Sequence, residues 1–244
     1  MDANDESLMD LAKELSIKLV DSCSSKFDFY LLKKGDVLFL QRGEIKICVD
    51  FLSGQAVHRR EYGSGNGKNQ PLSRAVGLNK RKELKVLDAT AGLGGDAFIL
   101  ASLGCEMMLL ERSPIVSALL GDGLRRGLLD KNIDHIIKKM TLLTIDAENY
   151  FSQITEKPDV IYLDPMYPHR KKSAKVKKEM QVLQDLLGQD EQVGHDEQDS
   201  FLTLALASAS QRVVVKRPKG AEYLNDSAPT HSIESKKTRY DVYM

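Results

Sequence analysis

The chain has 244 residues with 42% hydrophobic content, enough to bury one large core and a small second domain. Its 35 basic and 35 acidic side chains cancel, so affinity for a nucleic acid must come from local patches rather than an overall positive field. Cys23, Cys48 and Cys105 lie far apart with no C-x-x-C pair, and there is neither a basic leader with an apolar core nor a long apolar run. These features argue against zinc, a disulfide framework, secretion and membrane insertion, and a cytoplasmic protein without a metal is expected.

Residues 6–22 place Leu8, Leu11, Leu15 and Leu19 at helical spacing, which predicts an amphipathic helix on the core. Residues 29–32, 37–41 and 44–51 read as three strands joined by turns at Lys34-Gly35-Asp36 and Arg42-Gly43, a small antiparallel meander. With the helix it forms an expected β-rich domain over 1–63. Residues 64–84 follow as a Gly-rich segment and a helix, and the run 63–69 reads either as a plain linker or as a loop that closes over a site. Beyond Pro71, helix and strand alternate, which calls for a mostly parallel sheet covered on both faces, an α/β Rossmann-like domain over 85–244. Strands are expected near 85–89, 106–110, 141–145, 159–163 and 212–216. Residues 238–244 suit a final strand in a hairpin with residues near 230, and the acidic, Gln-rich stretch 189–199 reads as a loop.

The first strand of that domain, Lys85-Val86-Leu87-Asp88-Ala89-Thr90, runs into Ala91-Gly92-Leu93-Gly94-Gly95-Asp96-Ala97. Gly92, Gly94 and Ala97 fit the G-x-G-x-x-G/A pattern, in which glycines let the backbone turn tightly and approach a ligand. The next strand ends at Glu111, nineteen residues after Gly92, where a carboxylate can accept from both hydroxyls of a ribose. The pair points to a nucleoside cofactor. A dinucleotide would put its pyrophosphate on the helix N-terminus. S-adenosylmethionine has no phosphate and carries an ammonium and a sulfonium, which suit Asp88 and Asp96 on either side of the turn. Asp96 reads equally as a helix N-terminal carboxylate favoured by the macrodipole.

Asp164-Pro165-Met166-Tyr167-Pro168 closes the apolar run Val160-Ile161-Tyr162-Leu163. Taken alone, Asp-Pro after a strand is a turn capped by its own carboxylate. Behind a nucleoside site it suits methyl transfer to an amine on a base, a poor nucleophile whose N–H groups must be held by acceptors. Asp164 supplies a carboxylate, Pro165 a carbonyl with no competing N–H, and Tyr167 a ring on which a base taken out of its helix can stack. His169, Arg170, Lys171, Lys172 and Lys175 follow at once, as phosphate contacts or as a solvated face. His58, Arg59 and Arg60, and Lys216 and Arg217 with Lys219, are further candidate RNA contacts.

Several runs in one order carry a resemblance: Val57-His58-Arg59-Arg60, Leu87-Asp88-Ala89-Thr90-Ala91-Gly92-Leu93-Gly94, Leu110-Glu111-Arg112, Tyr162 through His169, Lys171-Lys172-Ser173-Ala174, and Val213-Val214-Val215-Lys216-Arg217-Pro218. Together they resemble the bacterial small-subunit ribosomal RNA methyltransferases that modify a guanine N2 amine near the 3′ end of 16S rRNA. The resemblance implies a class I methyltransferase sheet and 16S rRNA or the small ribosomal subunit as partner. It also implies S-adenosylmethionine held by Gly95-Asp96, Glu111-Arg112, Ala147-Glu148-Asn149 after the third strand, and Asp164. Two positions depart from the family: Gly95 stands where an Arg is common, and Glu148-Asn149 where two serines are. Both bear on cofactor contacts more than on the reaction. The alternatives are a methyltransferase for an adenine or a protein amide, and an inactive methyltransferase-fold RNA-binding protein, against which Asp164 and the complete glycine turn argue.

Overall fold

The apolar residues at 160–163 show no polar alternation, as expected of a strand covered on both faces, and they form the middle strand of a seven-stranded sheet. The computed structural model describes residues 6–23, 26–53, 69–81, 83–165, 178–188 and 195–244. Five strands are parallel: β4 (Lys85–Asp88), β5 (Glu106–Glu111), β6 (Met140–Thr144), β7 (Val160–Leu163) and β8 (Arg212–Pro218). After β9 (His231–Glu234), β10 (Thr238–Tyr243) inserts antiparallel between β8 and β9, giving the order β6-β5-β4-β7-β8-β10-β9. The chain runs outward from β4 to β6, then returns to β7 on the other side of β4. That reversal puts a ligand crevice at the carboxyl ends of β4 and β7.

Helices cover both faces. Against one lie α2 (Pro71–Val76), α3 (Gly95–Ser102) and α4 (Pro114–Leu128), whose Leu72, Phe98, Leu119 and Leu120 share an apolar cluster with Val86, Tyr162 and Val214. The short α5 (Asp134–Ile137) joins the same cluster through Ile136 and Ile137. Against the other face lie α6 (Ala147–Phe151) and α8 (His195–Ser208), whose Phe151, Leu202 and Ala205 pack with Leu87, Ile161 and Val213. Between these two in sequence runs α7 (Lys178–Leu187), which buries Val182 and Leu183.

The N-terminal meander has the expected turns, with β1 (Tyr30–Lys34), β2 (Val37–Arg42) and β3 (Ile45–Ile47) pairing Lys34 with Val37 and Arg42 with Ile45. It is docked on α4: the Leu38 N–H donates to Asp122 at 3.1 Å, and Arg126, paired with Asp122 at 2.9 Å, also donates to the Val49 carbonyl. The Phe51 ring stacks on Phe98 with centroids 4.7 Å apart, a contact worth about 1 kcal/mol beyond its buried area. Leu38, Leu40, Ile47, Val49 and Phe51 therefore belong to the core that carries the glycine turn.

Three elements differ from expectation. The first helix, α1, covers only Glu6–Glu14; the chain turns through Ser16, whose φ is +53°, and Leu19 is exposed. Ser16 and the β-branched Ile17 and Val20 are weaker helix formers than the residues before them. The third meander strand stops at Ile47 instead of running to 51. The stretch expected to loop over 189–199 is helical from His195, because the Leu202 and Ala205 end of α8 is buried against the sheet and Glu and Gln propagate a helix well. Residues 63–68 of the Gly-rich run, and 189–194, lie outside the described residues.

Candidate active site

Where β4 and β7 end, the backbone ladder stops and side chains take over. The Ala89 N–H still reaches the Tyr162 carbonyl at 3.0 Å; one step further, the Asp164 N–H donates to Thr90 Oγ1 at 2.6 Å. Asp88 accepts from the Thr90 N–H at 3.1 Å, the turn that an Asp at a strand end favours. The chain then folds back through Gly92 and Gly94, with the Gly94 N–H on the Ala91 carbonyl at 2.8 Å. Gly94 caps α3 with φ +73°, and a Cβ there would lie 2.7 Å from Leu120 Cδ1, so α3 and α4 meet over a residue that must be glycine.

Glu111 ties this turn to the next. Its carboxylate accepts from the Gly92 N–H at 3.0 Å and the Ser113 N–H at 2.8 Å, and burial pushes its pKa up against the pull of those donors. A carboxylate offers about four lone-pair positions, so two backbone donors leave room for ribose hydroxyls. The N–H groups of Gly92 and Gly94 are spent within the protein. A Cβ built on Gly92 would meet only the Thr90 carbonyl, at 3.9 Å, so the turn is open on that side. An open turn rich in acceptors fits a cationic nucleoside such as S-adenosylmethionine.

The second half of the site is a charge cluster. Asp96, in the first turn of α3, accepts the Tyr162 hydroxyl at 2.7 Å and the Lys216 ammonium at 2.8 Å, and Lys216 reaches Asp164 Oδ2 at 2.7 Å. Asp88 is 2% exposed; burial, with Asp96 and Asp164 nearby, pushes its pKa up to about 8, although Thr90 and Lys216 pull it down. Burial would lower the pKa of Lys216, but its two carboxylates outweigh that and raise it, so the ammonium stays charged. Burial and the neighbouring Asp96 hold the Tyr162 phenol well above its usual range, as a neutral donor.

Because β4, β5, β6 and β7 are parallel, Asp88, Glu111, Asp146 and Asp164 all fall on one edge of the sheet. Gly95 is exposed at the first position of α3, Arg112 is exposed beside Glu111, and Pro165 is half-buried after Asp164. Ala147 is buried, and the Glu148 and Asn149 N–H groups donate to Asp146, at 2.9 and 3.3 Å, as the cap of α6. Lys216 and Arg217 require a correction as candidate RNA contacts. Successive strand residues point to opposite faces, so Lys216 turns toward Asp96 and Asp164 while Arg217 is buried on the far side, donating to the Glu222 carbonyl at 3.1 and 2.9 Å. Lys219 is paired with Glu234 at 2.7 Å. Tyr167, His58, Arg59, Arg60, His169, Arg170, Lys171, Lys172 and Lys175 lie outside the described residues.

Thr90, Ser113, Tyr162 and the clamp made by Lys216 escaped the sequence reading. The alternation of Val214 with Lys216 on β8 was the available signal for the last.

Among the described residues no helix is long and apolar enough to cross a membrane, and no group of three or more His, Cys, Asp or Glu side chains is arranged to hold a metal ion. Residues 11–244 match a family model described as "Putative SAM-dependent methyltransferase". A protein of Pseudoalteromonas translucida named ribosomal RNA small subunit methyltransferase J is 51% identical over 199 residues, 81% of this chain and 76% of its own. One of the same name from Shewanella amazonensis is 50% identical over 222 residues, covering 89% and 87%. Among solved structures, the SAM-dependent methyltransferase NGO1261 of Neisseria gonorrhoeae aligns over 100% of this chain and 93% of its own, with a TM-score of 0.78 and 32% identity. With a family model spanning nearly the whole chain and relatives at about half identity, the chain belongs to the ribosomal RNA small subunit methyltransferase J family of S-adenosylmethionine-dependent methyltransferases.

Proposed function

We propose that this protein methylates the exocyclic N2 amine of one guanine near the 3′ end of 16S rRNA, in the cytoplasm, with Asp164, Pro165 and Tyr167 as the groups that handle the base. The reading is carried by the fixing of Asp164 at the crevice: its N–H is held by Thr90 and its carboxylate by Lys216, directly across from the carboxylates of β4 and the glycine turn. Names carried by relatives at about 50% identity support small-subunit rRNA as the substrate.

S-adenosylmethionine, when bound, supplies an electrophilic methyl group on a sulfonium; Glu111, Asp88 and Asp96 are the residues that would hold it, with Arg112 and the Ala147-Glu148-Asn149 turn beside them. The protein's own work lies on the amine. The Asp164 carboxylate and the Pro165 carbonyl accept its N–H groups, which turns the nitrogen lone pair outward, and Tyr167 stacks on the extruded base. Both acceptors strengthen as nitrogen becomes cationic, so stabilisation is larger in the transition state than in the ground state and no strong base is needed. The basic residues Arg170, Lys171, Lys172 and Lys175 supply phosphate contacts.

Mapping methylated guanines in 16S rRNA from cells lacking the gene and from complemented cells tests the reading. One N2-methylguanine near the 3′ end should disappear and return. An unchanged 16S pattern contradicts it, and a lost N6-methyladenine would assign a different amine.

A further inference from the structure

Lys216 is placed with more care than a surface contact needs. Its side chain is 24% exposed, and it rises from the face of β8 that also carries Val214, beside its cross-strand partner Tyr240 on β10. Its stem leaves an apolar face while its head meets two carboxylates from different elements, Asp96 of α3 and Asp164 after β7, each at hydrogen-bond distance. Asp96 is in turn held by the Tyr162 hydroxyl of β7. One ammonium thus links the helix that follows the glycine turn to the carboxylate proposed to hold the amine.

We propose that Lys216 is the positioning residue of the methyl-transfer site: clamped between Asp96 and Asp164, it keeps the Asp164 carboxylate ionised and oriented toward the incoming amine. The proposal rests on the reading of Asp164 as amine acceptor. A flexible carboxylate among other carboxylates has two ways to fail. It can rotate away, or it can keep a proton and present a donor where an acceptor is needed. The groups around Lys216 are Asp88 from β4, Asp96 from α3, Tyr162 from β7, Asp164 just after it, and Tyr240 from β10. Three are acids and two are phenols; burial keeps the proton on Asp88 up to about 8, and Lys216 supplies the positive charge that lets Asp96 and Asp164 ionise together. An ammonium on Oδ2 and an amine are compatible on one carboxylate, whose oxygens offer about four lone-pair positions between them.

Single-turnover methyl transfer to small subunits from cells lacking the gene, with RNA and methyl donor saturating, tests the clamp across pH 6.5 to 9. Lys216→Met should slow transfer at least tenfold near pH 7 with the half-saturating RNA concentration unchanged. Its rate should climb with pH more steeply than that of the wild type, as the acid cluster sheds the proton it has kept. Removing one acid as well, in Asp96→Asn with Lys216→Met, should abolish the extra climb, and Lys216→Arg should stay within a few-fold of the wild type. A Lys216→Met rate that falls by the same factor at every pH, or does not fall, overturns the proposal. Infrared spectra of the cofactor-free protein give a reading that does not depend on the substrate. Lys216→Met at neutral pH should gain one protonated carboxyl band over the wild type, lost again on adding Asp164→Asn, and no gain overturns the proposal. If Lys216→Met does not fold, the same spectra of Lys216→Gln decide it. Wild-type protein that transfers no methyl group to RNA would instead remove the proposed function, with the infrared result still standing for Lys216.

Discussion

The sheet carries two ion clusters that are built on opposite plans. On β10, Arg239 and Asp241 form a fork, Nε to Oδ1 at 2.8 Å and a terminal nitrogen to Oδ2 at 2.9 Å, with the Ser232 hydroxyl on Oδ1 and the Tyr223 ring centroid 4.7 Å from the guanidinium. One cation meets one anion, both oxygens are used, and Asp241 is fully buried. At the carboxyl ends of β4, β7 and β8, one ammonium serves Asp96 and Asp164 with Asp88 behind them, and burial holds the Asp88 carboxyl up to about 8. The first cluster is complete in itself and, through the Ser232 hydroxyl, ties β10 to β9. The second has more acid than base at the crevice where a cationic cofactor fits. Charge balance distinguishes a structural ion pair from a site that is finished by its ligand.

The sharpest way to break that contrast is to remove one acid from each cluster. Asp241→Ala leaves a buried guanidinium without its partner and should cost about 3 to 5 kcal/mol of stability. Asp164→Ala leaves Lys216 on Asp96 and relieves repulsion among the acids, so it should change stability by less than about 1 kcal/mol. Denaturant unfolding of both variants measures this, and equal losses would contradict the distinction.

Next in size is Glu111→Ala, which removes a charged acceptor from the turn of β4. It should weaken S-adenosylmethionine binding by at least about 1.5 kcal/mol, roughly tenfold. Asp241→Asn, remote from the crevice, should leave the affinity as it is. Calorimetry showing wild-type affinity for Glu111→Ala would take Glu111 out of the site.

The acid excess also sets a pH dependence. Asp88 has its pKa raised from 3.8 to about 8 in the folded protein, so between those values the folded state holds a proton that the unfolded chain has shed. Its contribution to stability therefore falls as pH rises through that window, by up to about 1.4 kcal/mol per pH step of one. Burial of Glu111 raises its pKa and acts in the same sense. Asp88→Asn should flatten the decline, read as the difference in unfolding free energy between the two proteins at pH 5 and pH 8. A slope identical to the wild type would mean Asp88 ionises freely.

The smallest effects belong to the phosphate contacts. Replacing Lys171, Lys172 and Lys175 together by Gln should weaken RNA binding and flatten its salt dependence by up to about three phosphates' worth, about 0.7 to 0.9 in logarithmic slope for each, while cofactor affinity stays constant. An unchanged slope would make these lysines a solvated face.

Much of this was legible in the residues, and the limits have physical causes. The parallel strands announced themselves as apolar runs, and the Gly92-x-Gly94 turn with Glu111 marked the cofactor side because its geometry is local in sequence. The meander followed from its two glycine turns. Lys216 and Arg217 read as one basic patch because sequence adjacency hides the two faces of a strand, and only the pairing of β8 with β10 assigns each a side. The clamp from Lys216 to Asp96 spans 120 residues and exists only once α3 and β8 have met on the sheet. The first helix ends early because Ser16, Ile17 and Val20 are weaker helix formers than the residues before them, and α8 starts early because the burial of Leu202 and Ala205, distant in sequence from the acidic stretch, anchors a helix that Glu and Gln extend.

The central claim is that Asp164 holds the amine, and single-turnover methylation of a 16S fragment or small subunit by Asp164→Ala tests it most directly. The variant should remain folded and transfer the methyl group at least about a hundredfold more slowly, with Asp164→Asn in between because an amide oxygen still accepts one N–H. A folded Asp164→Ala protein working at close to the wild-type rate would mean that the amine is held elsewhere.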